Sequence, residues 1–410
     1  MDRDLHDIVI VGAGHAGVET AAALRHRGFP GRITLVSAEP GLPYQRPPLS
    51  KEFLKSQDDS GLPLRGEAFY STAEVGLVTG RRVEAIDRAD ARVRLDDGTS
   101  LAYDHLVLAT GARNRMPPVA GLVRGEALEL RSLADARALD LRLPALKHVA
   151  VIGGGFIGLE VAALLRARGV AVDVVEAMPR LMARVLSEPM SAHFRTMHEA
   201  MGTRLHLDVF ADALHQSEAG PELMLANRQT IATDAVLVAA GIVPETDLAE
   251  AAGLTVDNGV VVDALLVTSD PAISAIGDAA LFPNAYTGAM TRLESVQNAV
   301  DQGKAVAARL TGEPAPYAGF PWFWSNQGSA RLQIAGLATG HDRVVSRGEA
   351  GSEKFSLYLY RGERLIAVES LNAAGDHMLA RRLLAQGIFV PPEMAGDLGA
   401  DLKALLPKAA

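Results

Sequence analysis

Two glycine-rich turns in the sequence could bring bare backbone N–H groups to a phosphate. The first reads GAGHAG and the second GGGFIG, and each follows a short apolar run and precedes a helical pattern. Where side chains are absent, a pyrophosphate can approach the start of the helix, whose dipole favours negative charge. The fixed glycines are Gly12, Gly14 and Gly17 in the first turn, and Gly153, Gly155 and Gly158 in the second. Ala16 and Ile157, at variable positions of the two turns, are also candidate cofactor contacts.

An acidic residue follows each turn at the spacing of a ribose-binding carboxylate. Glu39 lies 22 residues beyond Gly17, and Glu176 lies 18 residues beyond Gly158. A carboxylate at the end of the next strand accepts hydrogen bonds from the two hydroxyls of a ribose. A single turn of this kind also serves ordinary packing of a strand against a helix. Two turns, each with its acid, predict two adenine-dinucleotide sites.

Two such sites predict two cofactors that react with each other. A tightly bound, non-covalent FAD and an exchangeable NADH form the pair that exchanges a hydride directly. Because a carboxylate repels a 2′-phosphate, Glu176 favours NADH over NADPH. Two other interpretations stay open: Glu176 is only a solvated strand end, or Arg180 and Arg184, which follow it, accommodate a phosphate.

The apolar pattern predicts the same strand–turn–helix–strand order twice along the chain. The first glycines of the two copies are 141 residues apart, which is too long for a solenoid repeat and suits two domains of one α/β architecture. In the first copy the strands are Ile8–Val11 and Ile33–Val36, and the helix ends near Gly28. In the second copy the strands are Val149–Ile152 and Val172–Val175, and the helix is Leu159–Arg168.

Further patterns predict the ends of these domains and a third domain. Leu101–Gly111 reads as one buried strand running into Thr110 and Gly111, and Ala235–Gly241 is its counterpart in the second copy. Segment 117–148 has few strand signals and is expected to connect the two copies. From about residue 319 the hydrophobic pattern changes to that of alternating strands, which predicts an α+β domain. Its elements are Phe355–Tyr360, Leu365–Val368 and a helix near His377–Ala385, and the preceding region holds a short strand at Ile273–Asp278 and a helix at Leu293–Leu310.

Composition excludes several classes of protein. The 410 residues carry a net charge of −9, which disfavours generic nucleic-acid binding. There are no cysteines, so disulfides, thiol nucleophiles and Cys-ligated metals are excluded, and the 11 histidines show no metal-ligand spacing. The acidic start of the chain is not expected to be a signal peptide, and no apolar run is long enough to suggest a membrane span. We therefore expect no metal and a cytoplasmic location.

Several segments together resemble the FAD-dependent, NADH-utilising ferredoxin reductases. They are the two glycine turns, LPYQRPPLSK at Leu42–Lys51, IGD at Ile276–Asp278, LESVQNA at Leu293–Ala299 and PWFWSNQ at Pro321–Gln327. The resemblance implies a glutathione-reductase-like α/β fold with two Rossmann-type dinucleotide-binding domains and a C-terminal α+β domain. It places the discontinuous FAD domain at 1–115 and 245–318, the NAD domain at 116–244 and the C-terminal domain at 319–410.

The same resemblance implies roles for individual residues. Lys51, Glu160 and Trp324 match residues that act beside the flavin or the nicotinamide. Each also has a plainer interpretation: a solvated lysine in a proline-rich loop, an acid that stabilises a helix N-terminus, and part of an aromatic domain seam. Further candidate contacts to a cofactor are Arg46, Val83, Thr110, Gly111, Arg131, Arg184, Gly241, Asp278 and Val296.

The implied activity is an NADH:ferredoxin oxidoreductase that serves a cytochrome P450 or an aromatic-ring dioxygenase. Without cysteines, the flavin cannot pass electrons to an internal thiol. The resemblance implies that the electrons leave one at a time to an external carrier, a [2Fe–2S] ferredoxin. The acidic chain needs a local basic face near the flavin edge to dock it. The alternatives are an NADH oxidase, a quinone or monodehydroascorbate reductase, and a non-enzymatic switch resembling apoptosis-inducing factor. Candidate docking residues are Arg65, Arg292, Lys304, Arg309, Arg331 and Arg343.

Overall fold

The computed structural model describes residues 5–218 and 220–407, so the first residues of the predicted FAD domain and the last of the C-terminal domain lie outside it. The strands are β1 Asp7–Val11, β2 Arg32–Ser37, β3 Val75–Thr79, β4 Val83–Asp87, β5 Arg92–Leu95, β6 Ser100–Ala102, β7 His105–Leu108, β8 Ala112–Asn114, β9 His148–Ile152, β10 Ala171–Glu176, β11 Arg204–Leu207, β12 Ala211–Ser217, β13 Gly220–Leu225, β14 Thr230–Ala232, β15 Ala235–Val238, β16 Ile242–Pro244, β17 Val256–Asp257, β18 Gly259–Val261, β19 Ile273–Ala275, β20 Ala280–Asn284, β21 Ala289–Thr291, β22 Trp322–Gln327, β23 Ala330–Gly336, β24 Arg343–Arg347, β25 Phe355–Arg361 and β26 Arg364–Leu371.

The helices lie between these strands, except for the last two, which follow the final strand, and short 3₁₀ turns add to them. They are α1 His15–His26, α2 Glu52–Ser56, α3 Glu67–Thr72, α4 Leu133–Arg142, α5 Phe156–Ala167, α6 Glu188–Ala200, α7 Asp247–Ala251, α8 Val296–Leu310, α9 Ala374–Ala385 and α10 Pro392–Gly396. The chain divides into two compact units. Unit 1 comprises the described parts of Met1–Arg46, Asp59–Arg113 and Ile242–Pro321, and unit 2 those of Pro47–Asp58, Asn114–Gly241 and Trp322–Ala410.

Unit 1 is built on a parallel sheet with the order β19-β7-β1-β2-β3. Strand β1 lies in the middle and is almost fully buried, so it reads as a continuous apolar run rather than an alternating one. Helices α1 and α8 pack closely, because Gly303 of α8 lets its backbone approach Ala16 and Thr20 of α1. The carboxyl end of β1 leads directly into the first glycine turn, which places that turn at the edge of the sheet where ligands bind.

Unit 2 repeats this arrangement and also contains a five-stranded antiparallel sheet. Its parallel sheet has the order β11-β10-β9-β15, with β9 leading into the second glycine turn. An antiparallel sheet with the order β22-β23-β26-β25-β24 is formed by the C-terminal part of the chain. The apolar side chains of β9, β10 and β15 form one core with those of β12–β14. The α/β architecture predicted from the two repeats is therefore present in both units.

Several predicted elements differ in extent from the observed ones. The strand expected over Leu101–Gly111 is divided into β6 and β7, because the Asp104 carboxylate turns back to accept hydrogen bonds from the N–H groups of His6 and Asp7, at 2.7 and 2.9 Å. The helix expected from Leu293 begins at Val296, where the Ser295 side chain caps it. Segment 117–148 contains helix α4, which begins in a capping box that the sequence analysis did not use.

Candidate functional site: two nucleotide loops and a buried charge pair

The first glycine turn has the geometry of a phosphate cradle. Gly12 has a φ of +107°, and a Cβ there would overlap the carbonyl oxygen of Ala109 at the end of the neighbouring strand. A Cβ on Gly17 would overlap the carbonyl of Gly12. A Cβ on Gly14, by contrast, would meet nothing within 4 Å. Two glycines are thus required for the fold, and the third keeps a space open beside the start of helix α1.

The second turn shows the same division of roles. A Cβ on Gly153, where φ is +114°, would overlap the carbonyl of Ala239, and one on Gly158 would overlap the carbonyl of Gly153. Gly155 faces open space. Gly14 and Gly155 are the N-cap residues of α1 and α5, and no side chain caps either helix.

Both turns therefore fit the group that the sequence predicts for them. An open space at an uncapped helix N-terminus suits a pyrophosphate, which the backbone dipoles attract. Ile157 is exposed at the second turn, and Ala16 is buried behind the first. Thr110 and Gly111 follow β7 in unit 1, where the Thr110 hydroxyl donates to the Glu245 carbonyl at 2.7 Å.

Glu39 lies at the end of β2 in unit 1 and is held by two donors. Arg46 Nη2 forms an ion pair with Glu39 Oε1 at 2.6 Å, and the Tyr44 hydroxyl donates to Oε2. The Arg46–Glu39 pair is about one third exposed on both sides, so a ligand can reach it. Arg46, which the resemblance marks as a cofactor contact, therefore lies against the predicted ribose carboxylate.

Glu176 lies at the end of β10 and contacts the second turn directly. Its Oε2 accepts from the N–H of Gly154 at 2.7 Å, and its Oε1 accepts from the N–H of Met178 at 2.8 Å. Glu176 is thus fixed in place rather than a loose strand end. The Arg180 guanidinium donates hydrogen bonds to the carbonyls of Ala183 and Leu186, at 2.9 and 2.8 Å. The side chain of Arg184, which follows in the sequence, is exposed.

Lys51 and Glu160 form a buried ion pair in unit 2. Lys51 Nζ lies 2.6 Å from Glu160 Oε2, and the side chains are only 10% and 2% exposed. Ser50 Oγ also donates to Oε2, at 2.5 Å. The interpretation of Lys51 as a solvated surface lysine is therefore wrong. Glu160 lies in the second turn of α5, beyond the reach of the helix N-terminal N–H groups, so its interpretation as a helix-start acid is wrong as well.

The other predicted contacts are distributed over both units. In unit 1, Asp278 follows β19 in a 3₁₀ turn, Val296 is the first residue of α8, and Val83 opens β4. In unit 2, the N–H of Arg131 donates to Asp135 in the capping box of α4, and Gly241 follows β15. Their roles in cofactor binding stay predictions.

Trp324 belongs to an aromatic group on the antiparallel sheet of unit 2. Its ring centroid lies 5.5 Å from that of Trp322, and the Arg381 guanidinium lies 4.1 Å from the Trp322 ring centre. Both rings are only partly buried. The contact between Trp324 and a flavin stays a prediction.

The sequence analysis missed the polar residues that surround Glu160. Ser325 Oγ donates to Glu160 Oε1 at 2.7 Å, and Gln327 Nε2 donates to Ser325 Oγ at 3.2 Å. His198 Nε2 lies 2.9 Å from Gln327 Oε1. The available signal was the spacing of Ser325 and Gln327 in the motif PWFWSNQ, because residues two apart in a strand lie on the same face.

The candidate docking cations differ in how far they are exposed. Arg309 donates to Ser274 at 2.6 Å beside a buried His105, and the Arg292 side chain is 9% exposed and paired with Glu294. Neither presents its charge to a partner. Arg65 and Lys304 are exposed on unit 1, and Arg331 and Arg343 on the antiparallel sheet of unit 2.

Residues 5–218 and 220–407 contain neither a candidate membrane span nor a candidate metal site. There is no helix there with the length and hydropathy of a membrane span. Nor do three or more His, Asp or Glu side chains come together in a way that could hold a metal ion.

The chain belongs to the pyridine nucleotide-disulphide oxidoreductase family, whose model matches residues 6–303, and a reductase C-terminal domain model matches 322–406. It is 47% identical to rhodocoxin reductase of Rhodococcus erythropolis, over 97% of this chain and 93% of that protein. The crystal structure of the ferredoxin reductase for the CYP199A2 system from Rhodopseudomonas palustris is also 47% identical, with a TM-score of 0.95 over 97% of this chain and 99% of that one. The covalent putidaredoxin reductase–putidaredoxin complex gives a TM-score of 0.93 at 36% identity, over 97% and 98%.

These comparisons confirm the family resemblance and the fold class predicted from the sequence. The chain is an oxidoreductase, and members of this family use FAD and NAD(H), so the predicted cofactor pair is confirmed. The disulphide of the family name has no counterpart here, because the sequence contains no cysteine.

Proposed function

We propose that this protein is an NADH:ferredoxin reductase, which passes electrons from NADH through FAD to a [2Fe–2S] ferredoxin. The observation that carries the proposal is the pair of open glycine turns, one in each unit, each backed by a fixed carboxylate. The similar proteins named as ferredoxin reductases support the choice of acceptor.

The turn with Glu39 is proposed to hold FAD and the turn with Glu176 to hold NADH. Bound FAD supplies the exchange between the two-electron chemistry of NADH and the one-electron chemistry of a ferredoxin. Glu176 is positioned to accept from a ribose hydroxyl, and its negative charge disfavours a 2′-phosphate. Because Arg180 is occupied by backbone carbonyls, only Arg184 remains to counter that preference, and we therefore propose NADH as the donor.

Lys51 and Glu160 are proposed to act at hydride transfer. The ammonium of Lys51 can stabilise negative charge that develops on a reduced ring, and Glu160 can orient the nicotinamide. Burial strengthens both effects, because charges interact more strongly away from water. Trp324 is proposed to pack beside the reacting rings.

The ferredoxin is proposed to dock through exposed cations. Lys304 in unit 1 and Arg331 in unit 2 are the two chosen for testing. Charge reversal at either position should raise the KM for an acidic ferredoxin, with an effect that weakens as salt is added. The rate of flavin reduction by NADH should not change, which separates docking from the earlier step. The terminal oxygenase, whether a P450 or a dioxygenase, and the cytoplasmic location stay predictions.

The decisive experiment uses the purified protein with its flavin. Anaerobic NADH should bleach the yellow colour, and cytochrome c reduction should depend on an added [2Fe–2S] ferredoxin. Turnover with oxygen or a quinone that ferredoxin does not accelerate would favour an oxidase or small-molecule reductase. A stable long-wavelength band on adding NADH, without turnover, would favour a structural switch. A protein that neither retains nor takes up flavin would overturn the proposal.

A further inference from the structure

A chain of buried hydrogen bonds leads away from the Glu160 carboxylate. Ser325 contacts Glu160 Oε1 at 2.7 Å, Gln327 contacts Ser325 at 3.2 Å, and His198 contacts Gln327 at 2.9 Å. The three residues are fully buried, and Ser325 and Gln327 lie on one face of β22 because side chains alternate along a strand. Helix α5, strand β22 and helix α6 thus meet through polar side chains.

The chemistry of the groups fixes the direction of every bond in this chain. A carboxylate only accepts hydrogen bonds, so the Ser325 hydroxyl is the donor in its hydrogen bond to Glu160. The Ser325 oxygen then accepts from the Gln327 amide nitrogen, which also faces the Met182 sulfur at 3.6 Å. The Gln327 oxygen consequently faces His198 and accepts from its Nε2–H. Burial lowers the pKa of His198, although the hydrogen bond to Gln327 acts in the opposite direction. The lowered pKa keeps the ring neutral at physiological pH.

The two carboxylate oxygens of Glu160 are bound by different sets of donors. Lys51 and Ser50 bind Oε2, while Ser325 binds Oε1, and the N–H of Asn326 lies 3.4 Å from the same oxygen. Lys51 alone would leave the carboxylate able to rotate about its last bond. The second set of donors removes that freedom. A buried carboxylate held on both oxygens keeps one orientation without reorganising when a substrate arrives.

We propose that Ser325 and Gln327, with His198 behind them, are positioning residues that fix the Glu160 carboxylate for hydride transfer from NADH. The inference rests on the proposed function, since it assigns Glu160 to the nicotinamide. In that step the C4–H bond of bound NADH would break and an N5–H bond on the flavin ring would form, so that NADH becomes NAD⁺ and FAD takes up both electrons of the hydride. Ser325 and Gln327 are fully buried and are proposed to act through Glu160.

The test compares Ser325→Ala with Ser356→Ala in the flavin-loaded protein. Ser356 is a matched control, because it is equally buried in the same sheet and its hydroxyl also donates to a carboxylate, that of Asp376, at 2.9 Å. Each variant is mixed anaerobically with NADH, and the loss of flavin absorbance is followed against NADH concentration. Ser325→Ala should lower the limiting rate about tenfold, the low end of what one hydrogen bond to a charged group supplies. The NADH dissociation constant should change less than threefold, and Ser356→Ala should match the wild type.

Two further measurements separate positioning from a structural role. In a Glu160→Gln background, Ser325→Ala should add little to the loss, because two residues that act through one group are not additive. Gln327→Met, which keeps the volume but removes both amide bonds, should give a smaller loss of the same kind. With NADH deuterated at C4, the limiting rate of flavin reduction in Ser325→Ala should show a full kinetic isotope effect.

Three results would overturn the inference. Ser325→Ala could match Ser356→Ala in rate, it could cost as much in the Glu160→Gln background as alone, or both Ser325→Ala and Gln327→Met could lose FAD while Ser356→Ala retains it. The last result would show a purely structural role. If the wild type itself is not bleached by NADH, the proposed function fails instead, so the two failures are distinct.

Discussion

The same substitution should have opposite consequences within one glycine turn. A Cβ at Gly155 points into open space and φ is −85°, so alanine fits the backbone there. Alanine is a poorer N-cap than glycine, by about 0.5–1 kcal/mol, but it also restricts the unfolded chain by about 0.4–1 kcal/mol. We therefore expect Gly155→Ala to leave the free energy of unfolding nearly unchanged.

The same methyl group should interfere strongly with NADH. If it displaces the pyrophosphate from one backbone N–H, the lost charge-assisted hydrogen bond is worth about 1.5–3 kcal/mol, or about 10- to 150-fold in affinity. FAD content should be unaffected, because FAD is proposed to bind the other turn. The assay is an anaerobic titration of flavin bleaching with NADH, alongside urea unfolding and the ratio of flavin to protein.

Two matched variants complete the experiment. Gly14→Ala makes the equivalent change in the first turn, where φ is −77°, and should lower FAD retention instead. Gly153→Ala adds a methyl group where φ is +114° and a carbonyl already occupies the space, so it should destabilise unit 2 by about 3 kcal/mol or more. Normal NADH affinity in Gly155→Ala, with flavin and fold intact, would refute the assignment of this turn to the dinucleotide.

Three other changes test the charges of unit 2. Lys51→Met should lower the free energy of unfolding by about 3–5 kcal/mol, because Glu160 loses its buried partner, and adding Glu160→Gln should restore most of it in urea titrations. Glu176→Ala should reduce the ratio of kcat/KM for NADH over NADPH by about tenfold, as steady-state assays with both donors would show. Burial would raise the pKa of Asp173, but hydrogen bonds from neighbouring histidine and arginine side chains hold it below its usual 3.8. The stability that this carboxylate provides is therefore present above about pH 4. In unfolding at several pH values, Asp173→Asn should cost about 3 kcal/mol at neutral pH and progressively less as the pH falls below 4.

The nucleotide loops could be predicted from the sequence because their requirements are local. Gly12 and Gly153 need a positive φ and a close backbone approach, and only glycine satisfies both, so the residue type itself reveals the turn. Glu39 and Glu176 could be predicted for a related reason. The length of one helix and one strand sets the distance between each acid and its turn.

The surroundings of Glu160 could not be predicted in this way. Ser50, Lys51 and Ser325 reach it across 110, 109 and 165 residues of chain, and no periodicity links positions so far apart. A lysine in a proline-rich loop looks the same in the sequence whether it faces water or a buried acid. The packing of the loop against helix α5 decides which of the two it is.

The sequence by itself determined the two α/β repeats, the turns and the acids behind them, since each depends on backbone geometry within a few dozen residues. Only the tertiary structure decided that Lys51 is buried, that Arg46 lies on Glu39, and that Arg309 is taken up by internal partners. The residue type of a charged side chain does not show whether that side chain is exposed or buried. Their role depends on which groups the fold brings within hydrogen-bond distance, because a charge removed from water must find a partner there.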